Sequence, residues 1–164
     1  MTMTINFDLL DAAIEDAANE DGDFLHHQGE WATVMNPQAG SAELCETGLC
    51  LAGFAAVRAG ATVPKPRRYP SENFWWIPRW WVEEETGQTV TDGEDLDGAV
   101  HVSEFARRRL GLREWQSKAL FKSSNTLDDL RAMRDHLREH PDANYTDLIT
   151  LRADSDYCCD YCSN

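Results

Sequence analysis

The chain reads as a mainly α protein: a compact bundle of four or five helices with one minor β-hairpin and a Pro/Trp-rich loop. Three observations point there. The segment Thr126 to Leu137 places Leu127, Leu130, Met133 and Leu137 on one face at helical spacing behind a Thr126/Asp129 capping pair. The run from Leu49 to Val57 is apolar, rich in small residues and closed by Gly60, a residue suited to a left-handed helix end. Finally, 164 residues form a core of ordinary domain size without obligatory staples.

Each element follows from local chemistry. Asn6 caps a first helix whose apolar positions Phe7, Leu10, Ile14, Ala17 and Ala18 share a face, ending near Asp21–Gly22. A short strand is expected around Trp31–Met35, before the turn residues Asn36, Pro37 and Gly40. The central helix is expected over 47–59, with Thr47 as its cap. Prolines at 64, 66, 70 and 78 then forbid a regular helix and favour an extended loop carrying FWWIPRWW. Residues 80–91 and 99–102 have strand character around an acidic turn bounded by Gly93 and Gly98, which gives the hairpin and the only expected sheet. Ser103 caps HVSEFARRRLGL, Gly111 breaks it, and REWQSKALF resumes as helix. The helix from Thr126 stops at His140–Pro141. The domain boundaries are therefore 1–141 for one globular helical unit and 142–164 for an acidic, cysteine-containing tail without periodicity.

Composition narrows the function. A formal charge of −14 opposes indiscriminate binding to nucleic acid or anionic membrane and makes a basic protein the natural partner. No apolar run approaches the roughly 20 residues of a membrane span, and MTMTINFDLL lacks a basic region ahead of a long apolar one, so a cytoplasmic location is expected. Five cysteines in such a compartment read as buried thiols or metal ligands rather than disulfides.

CETGLCLAGFAAVRAG after HHQGEW, followed by HVSEFARRRLGL and ALFKSSNTLDDLRAM, resembles a group of small uncharacterised proteins of actinobacteria and their phages. Those proteins share a tryptophan after a His/Gln/Gly stretch, a Cys-Gly-Thr-x-x-Cys-x-Ala-Gly-Trp-Ala segment, an LGL helix pair and an Asn-Thr-Leu helix. The likeness spans residues 24–138, with Glu46 in place of the usual glycine and Phe54 in place of the usual tryptophan. It implies an accessory protein of phage or prophage type with a small α-rich fold, acting in the host cytoplasm, and brings no activity with it.

Four constellations carry chemistry. Cys45-x4-Cys50 and Cys159-x2-Cys162 offer four thiolates to zinc, with Cys158, His26 or His27 as substitutes; against this, Cys50 falls on an apolar helix face where cysteine acts as a small hydrophobe. Cys50 near a helix N-terminus, paired with His26 or His27, would make a nucleophilic couple with a lowered thiol pKa, but no third group supports it. Gly93 to Glu104 matches a calcium loop at Asp95, Asp97, Gly98, Val100 and Glu104, yet its first ligand position is Gly93, so an acidic turn is the better reading. Lys65, Arg67, Arg68 and Arg79 interleave with aromatics as in a single-stranded nucleic-acid platform, which the acidic remainder opposes. Four tryptophans within seven residues cannot all face solvent, so some cap the core under the loop, and Trp75, Trp76, Arg79, Trp80 and Trp81 form the candidate partner-binding set, Trp and Arg being favoured interface anchors. SEFARRRLGLREWQSKALF fails the spacing of a helix-turn-helix and reads as a plain helical hairpin, with Trp115 and Leu120 as core contacts.

The expected function is therefore non-enzymatic: binding and modulation of a host protein through the acidic surface and the tryptophan loop, with no cofactor. The alternatives are an acidic DNA mimic that occupies a nucleic-acid-binding protein, and a zinc- or thiol-dependent enzyme.

Overall fold

The computed structural model describes residues 4–19, 25–26, 32–34, 47–61, 76–87, 95–96 and 99–152. The mainly helical class holds: seven helices and six short strands lie among them. Helix α1 (Phe7–Ala18) starts where Asn6 accepts the Leu9 N–H at 3.1 Å. It buries Leu10, Ala13, Ile14 and Ala17, the i, i+3, i+4, i+7 stripe of a helix lying on a core. Its end comes at Asn19, earlier than Asp21–Gly22, with the Asn19 N–H bonded to the Asp16 carbonyl.

Strands β1 (Leu25–His26), β2 (Ala32–Val34) and β3 (Thr47–Leu49) form a small sheet in the order β1-β3-β2. β2 falls in the stretch expected to hold a strand, but β3 overturns the reading of Thr47 as a helix cap. Thr47 pairs with Val34 and Leu49 with Ala32, so the backbone there is committed to a ladder. Helix α2 (Leu51–Arg58) begins three residues later than that cap would place it, with Cys50 at the N-cap position but no side-chain capping bond. Leu51 through Ala56 are all buried, because α1 packs on one side of α2 and helix α4 (Val102–Leu110) on another. Ala52, Gly53, Ala55 and Ala56 let those neighbours approach closely, and Gly60 follows at φ 96°.

Strand β4 (Trp76–Pro78) runs into helix α3 (Arg79–Thr86), closed by Gly87 at φ 63°. The strand expected over 80–91 is thus corrected to a helix. Trp80, Trp81 and Val82 mimic a strand over so short an apolar run, while Glu83, Glu84 and Glu85 and the glycine stop supply helix-forming and helix-ending chemistry. A minor hairpin is present, but its first strand is β5 (Asp95–Leu96), inside the stretch expected to be the turn, paired with β6 (Ala99–His101); β6 also pairs with β4, completing a second sheet in the order β4-β6-β5. Among the described residues the small sheets number two rather than one.

The N-cap of α4 is His101 and not Ser103: its Nδ1 accepts the Ser103 N–H at 3.3 Å. Gly111 ends α4 at φ 65°, and α5 (Glu114–Leu120) follows with the Arg113 N–H donating to Gln116 Oε1 at 2.9 Å. Helix α6 (Leu127–Glu139) carries the expected capping box, Thr126 Oγ1 accepting from Asp129 N and Asp129 Oδ2 from Thr126 N. It buries Leu130, Met133 and Leu137, packs on α1, and is tied to it by ion pairs from Arg134 and Arg138 to Asp11.

Two expectations fail at this end of the molecule. The packed chain does not stop at 141: α7 (Tyr145–Ile149), capped by Asn144 and Asp147, lies on α5 and buries Leu148 completely. Arg152 then donates to the Ser124 carbonyl at 3.0 Å. Trp115 is not a core residue; it is 41% exposed, whereas Leu120 is fully buried. On the apolar face expected for the helix from Thr126, Leu130, Met133 and Leu137 are fully buried and Leu127 is partly buried.

Candidate functional site

The tryptophan loop divides between the interior and undescribed positions. Trp75 lies outside the described residues, and for Trp76, Arg79 and Trp80 only the backbone is described, on β4 and the first turn of α3. Trp81 is half-buried and packs its ring on the fully buried Phe105, with centroids 5.1 Å apart. That ring closes the core from the α3 side, so its aromatic face is already in use.

Of the proposed zinc ligands only Cys50 has a described side chain. Its thiol is buried in the core cluster, and removal from water pushes its pKa up to about 11, outweighing the backbone N–H groups of Gly53 and Ala52 that favour the thiolate. The expected lowering at a helix N-terminus is therefore reversed, because desolvation exceeds the terminal dipole at this depth. Cys45, Cys158, Cys159, Cys162 and His27 lie outside the described residues, and for His26 only the backbone, in β1, is described. Among the described residues, no three His, Cys, Asp or Glu side chains converge on a metal position. In the calcium-loop match, Glu104 is engaged elsewhere: it accepts from Arg107 Nη2 and Arg108 Nε, each at 2.5 Å.

The accessible chemistry gathers around α5, α7 and the C-terminal end of α6. Trp115 presents an exposed indole, its Nε1–H donating to the Ala143 carbonyl at 3.3 Å and the Arg113 guanidinium standing 5.3 Å from its ring centroid. Arg113 also pairs with Asp142, and Tyr145 on α7 is the other exposed large apolar side chain among the described residues. Nearby, His136 and His140 hold their rings 4.7 Å apart beside an open groove of about 540 Å³. Glu139, Asp142 and Asp147 line the same groove.

In the sequence, Trp115 reads as a core contact and His140 only as a helix stop. The signal for the histidine pair was present in His136-Leu137-Arg138-Glu139-His140, two imidazoles one helical turn apart. The exposure of Trp115 had no such signal, because it depends on where α7 packs.

No protein-family model, no curated protein and no solved structure matches this chain. No helix among the described residues is long and apolar enough to cross a membrane.

Proposed function

We propose that this chain is a non-enzymatic accessory protein of phage type that binds and modulates a host protein in the host cytoplasm. The observation that carries the binding role is Trp115: a large aromatic ring left facing solvent, yet fixed by a hydrogen bond to Ala143 and by Arg113 beside it. A pre-ordered Trp–Arg pair loses little freedom on binding, and such residues anchor protein interfaces. The exposed carboxylate of Glu114 precedes it on α5, that of Asp142 pairs with Arg113, and the formal charge of −14 fits a basic partner surface. Trp75, Trp76, Arg79 and Trp80 belong to the proposed contact set, while Trp81 serves it by fixing α3 to the core, its ring packing on Phe105. The phage and host assignment rests on the resemblance in the sequence.

The DNA-mimic alternative draws on the exposed carboxylates Asp128, Asp135 and Glu139 along α6. Asp128 and Asp135 are each paired to an arginine of the same helix, which weakens the negative row such mimicry needs. Against the enzyme alternative, burial disfavours the thiolate of Cys50, one of the two thiols, with Cys45, that it draws on.

Salt and aromatic truncation separate these readings. With a partner captured from host lysate and then purified, Trp115→Ala or one change among Trp75, Trp76 and Trp80 to Ala is expected to cost at least about 2 kcal/mol of binding. Binding that ignores all four changes and falls steeply with salt would favour the mimic instead.

A further inference from the structure

We infer that His136 and His140 form a binding site for one divalent transition-metal ion of the zinc, nickel or copper class. The two residues occupy the last turn and the cap of α6, four apart, and their rings face each other at 4.7 Å with a 49° tilt. This is the spacing at which two imidazoles on one helix edge reach a single ion. The His140 N–H donates to the His136 carbonyl at 2.8 Å, so the backbone holds both residues in the helical register that brings the rings together.

The surroundings favour a cation. The pair lies at the C-terminal end of a 13-residue helix, where the carbonyl dipoles leave partial negative charge. Glu139, Asp142 and Asp147 line the adjoining groove, and that groove leaves room for waters to complete the coordination sphere. Imidazole is a ligand that zinc, copper and nickel share, whereas calcium and magnesium prefer all-oxygen sets. With Glu139 directly before the second histidine, the order His-x-x-Glu-His also occurs in a class of zinc hydrolases. Here no third side chain joins the pair among the described residues, so the inference is of metal binding with open, water-filled positions and not of hydrolysis.

The thiols of the chain compete for the same ions, so the test reads the histidines directly. The full-length protein is treated with an imidazole-acylating reagent with and without added Zn²⁺, and modification is mapped by mass. Zn²⁺ is expected to protect His136 and His140 together, with protection lost at His140 in His136→Ala and at His136 in His140→Ala. An unchanged melting temperature of the metal-free variants shows that both fold, as the exposed position of His140 and the part-exposed position of His136 imply. The inference is overturned if Zn²⁺ protects neither ring, as when cysteines elsewhere take the ion. It is equally overturned if either histidine stays protected after the other is removed.

Discussion

Gly111 packs its α-carbon directly against the backbone carbonyl of Thr4, so a methyl group built on Gly111 would overlap Thr4 O and stand 3.0 Å from its carbonyl carbon. The approach is held at the residue before the glycine, because the Asn6 N–H donates to the Leu110 carbonyl at 2.9 Å. Gly111 also has φ +65°, a conformation costly for any residue with a Cβ. Gly111→Ala therefore meets both strain and backbone overlap, and is expected to lower unfolding free energy by about 2 kcal/mol or more. Gly87→Ala is the control: it has the same sign of φ, at +63°, but open space around its added methyl, so it should cost about 1 kcal/mol. Equal losses for the two variants in urea unfolding would show that the contact with Thr4 contributes nothing.

What the sequence makes legible is what neighbouring residues decide. The Asn6 cap, the Thr126/Asp129 box and the Gly111 break all depend on side chains within three or four positions, and all are present. The failures are tertiary. Thr47 has the chemistry of a cap, but pairing with Val34 makes it a strand residue. Trp81 and Val82 fit a strand or a helix equally well, and burial of Val82 together with the ring contact to Phe105 resolves the choice. For the candidate site, the histidine spacing could be read from sequence, whereas the placement of the Trp115 indole depends on a carbonyl that Ala143 supplies from the connection between α6 and α7.

Acid is expected to destabilise the fold in two stages centred on the start of α4. Burial lowers the His101 imidazole below its ordinary value, and its Nδ1 serves as an acceptor only while unprotonated. For Glu104, burial pushes the carboxyl upward, but the hydrogen bonds and charges of Arg107 and Arg108 outweigh it and the net direction is down. Both folded values lie below the unfolded ones, so the associated stability is present above the unfolded pKa and is lost as pH falls through the folded one. The first loss begins below 6.5 and the second below 4.5, the ordinary values of the two groups. His101→Asn keeps a capping acceptor and should flatten the first stage in a melting-temperature series while leaving the second. A wild-type curve with no decline above pH 5 would contradict the assignment.

Cys50 is expected to be chemically silent in the folded protein. Its exposure is 1% and its thiol is pushed up to about 11, so at pH 8 both access and thiolate population are suppressed. Alkylation mapped by mass should leave Cys50 unmodified under native conditions and label it once denaturant is added. Rapid native labelling of Cys50 would restore the thiol-enzyme alternative that the buried position argues against.

The boundary of the packed unit is tested by two truncations. Removing residues from Asp142 onward deletes Ala143, whose carbonyl accepts from Trp115 Nε1, and Leu148, which is completely buried. It also removes Arg152, which donates to both the carbonyl and the hydroxyl of Ser124. Loss of one buried leucine alone leaves the apolar surface of α5 open to water, a change of the kind that costs about 2–5 kcal/mol. Removing residues from Ala153 onward keeps every one of these contacts. The first truncation should therefore unfold at clearly lower urea than the second, with Trp115 fluorescence shifting toward that of a more solvated indole. Coincident midpoints would mean that α7 adds no stability and that the unit ends at Pro141, as the composition of the tail suggested.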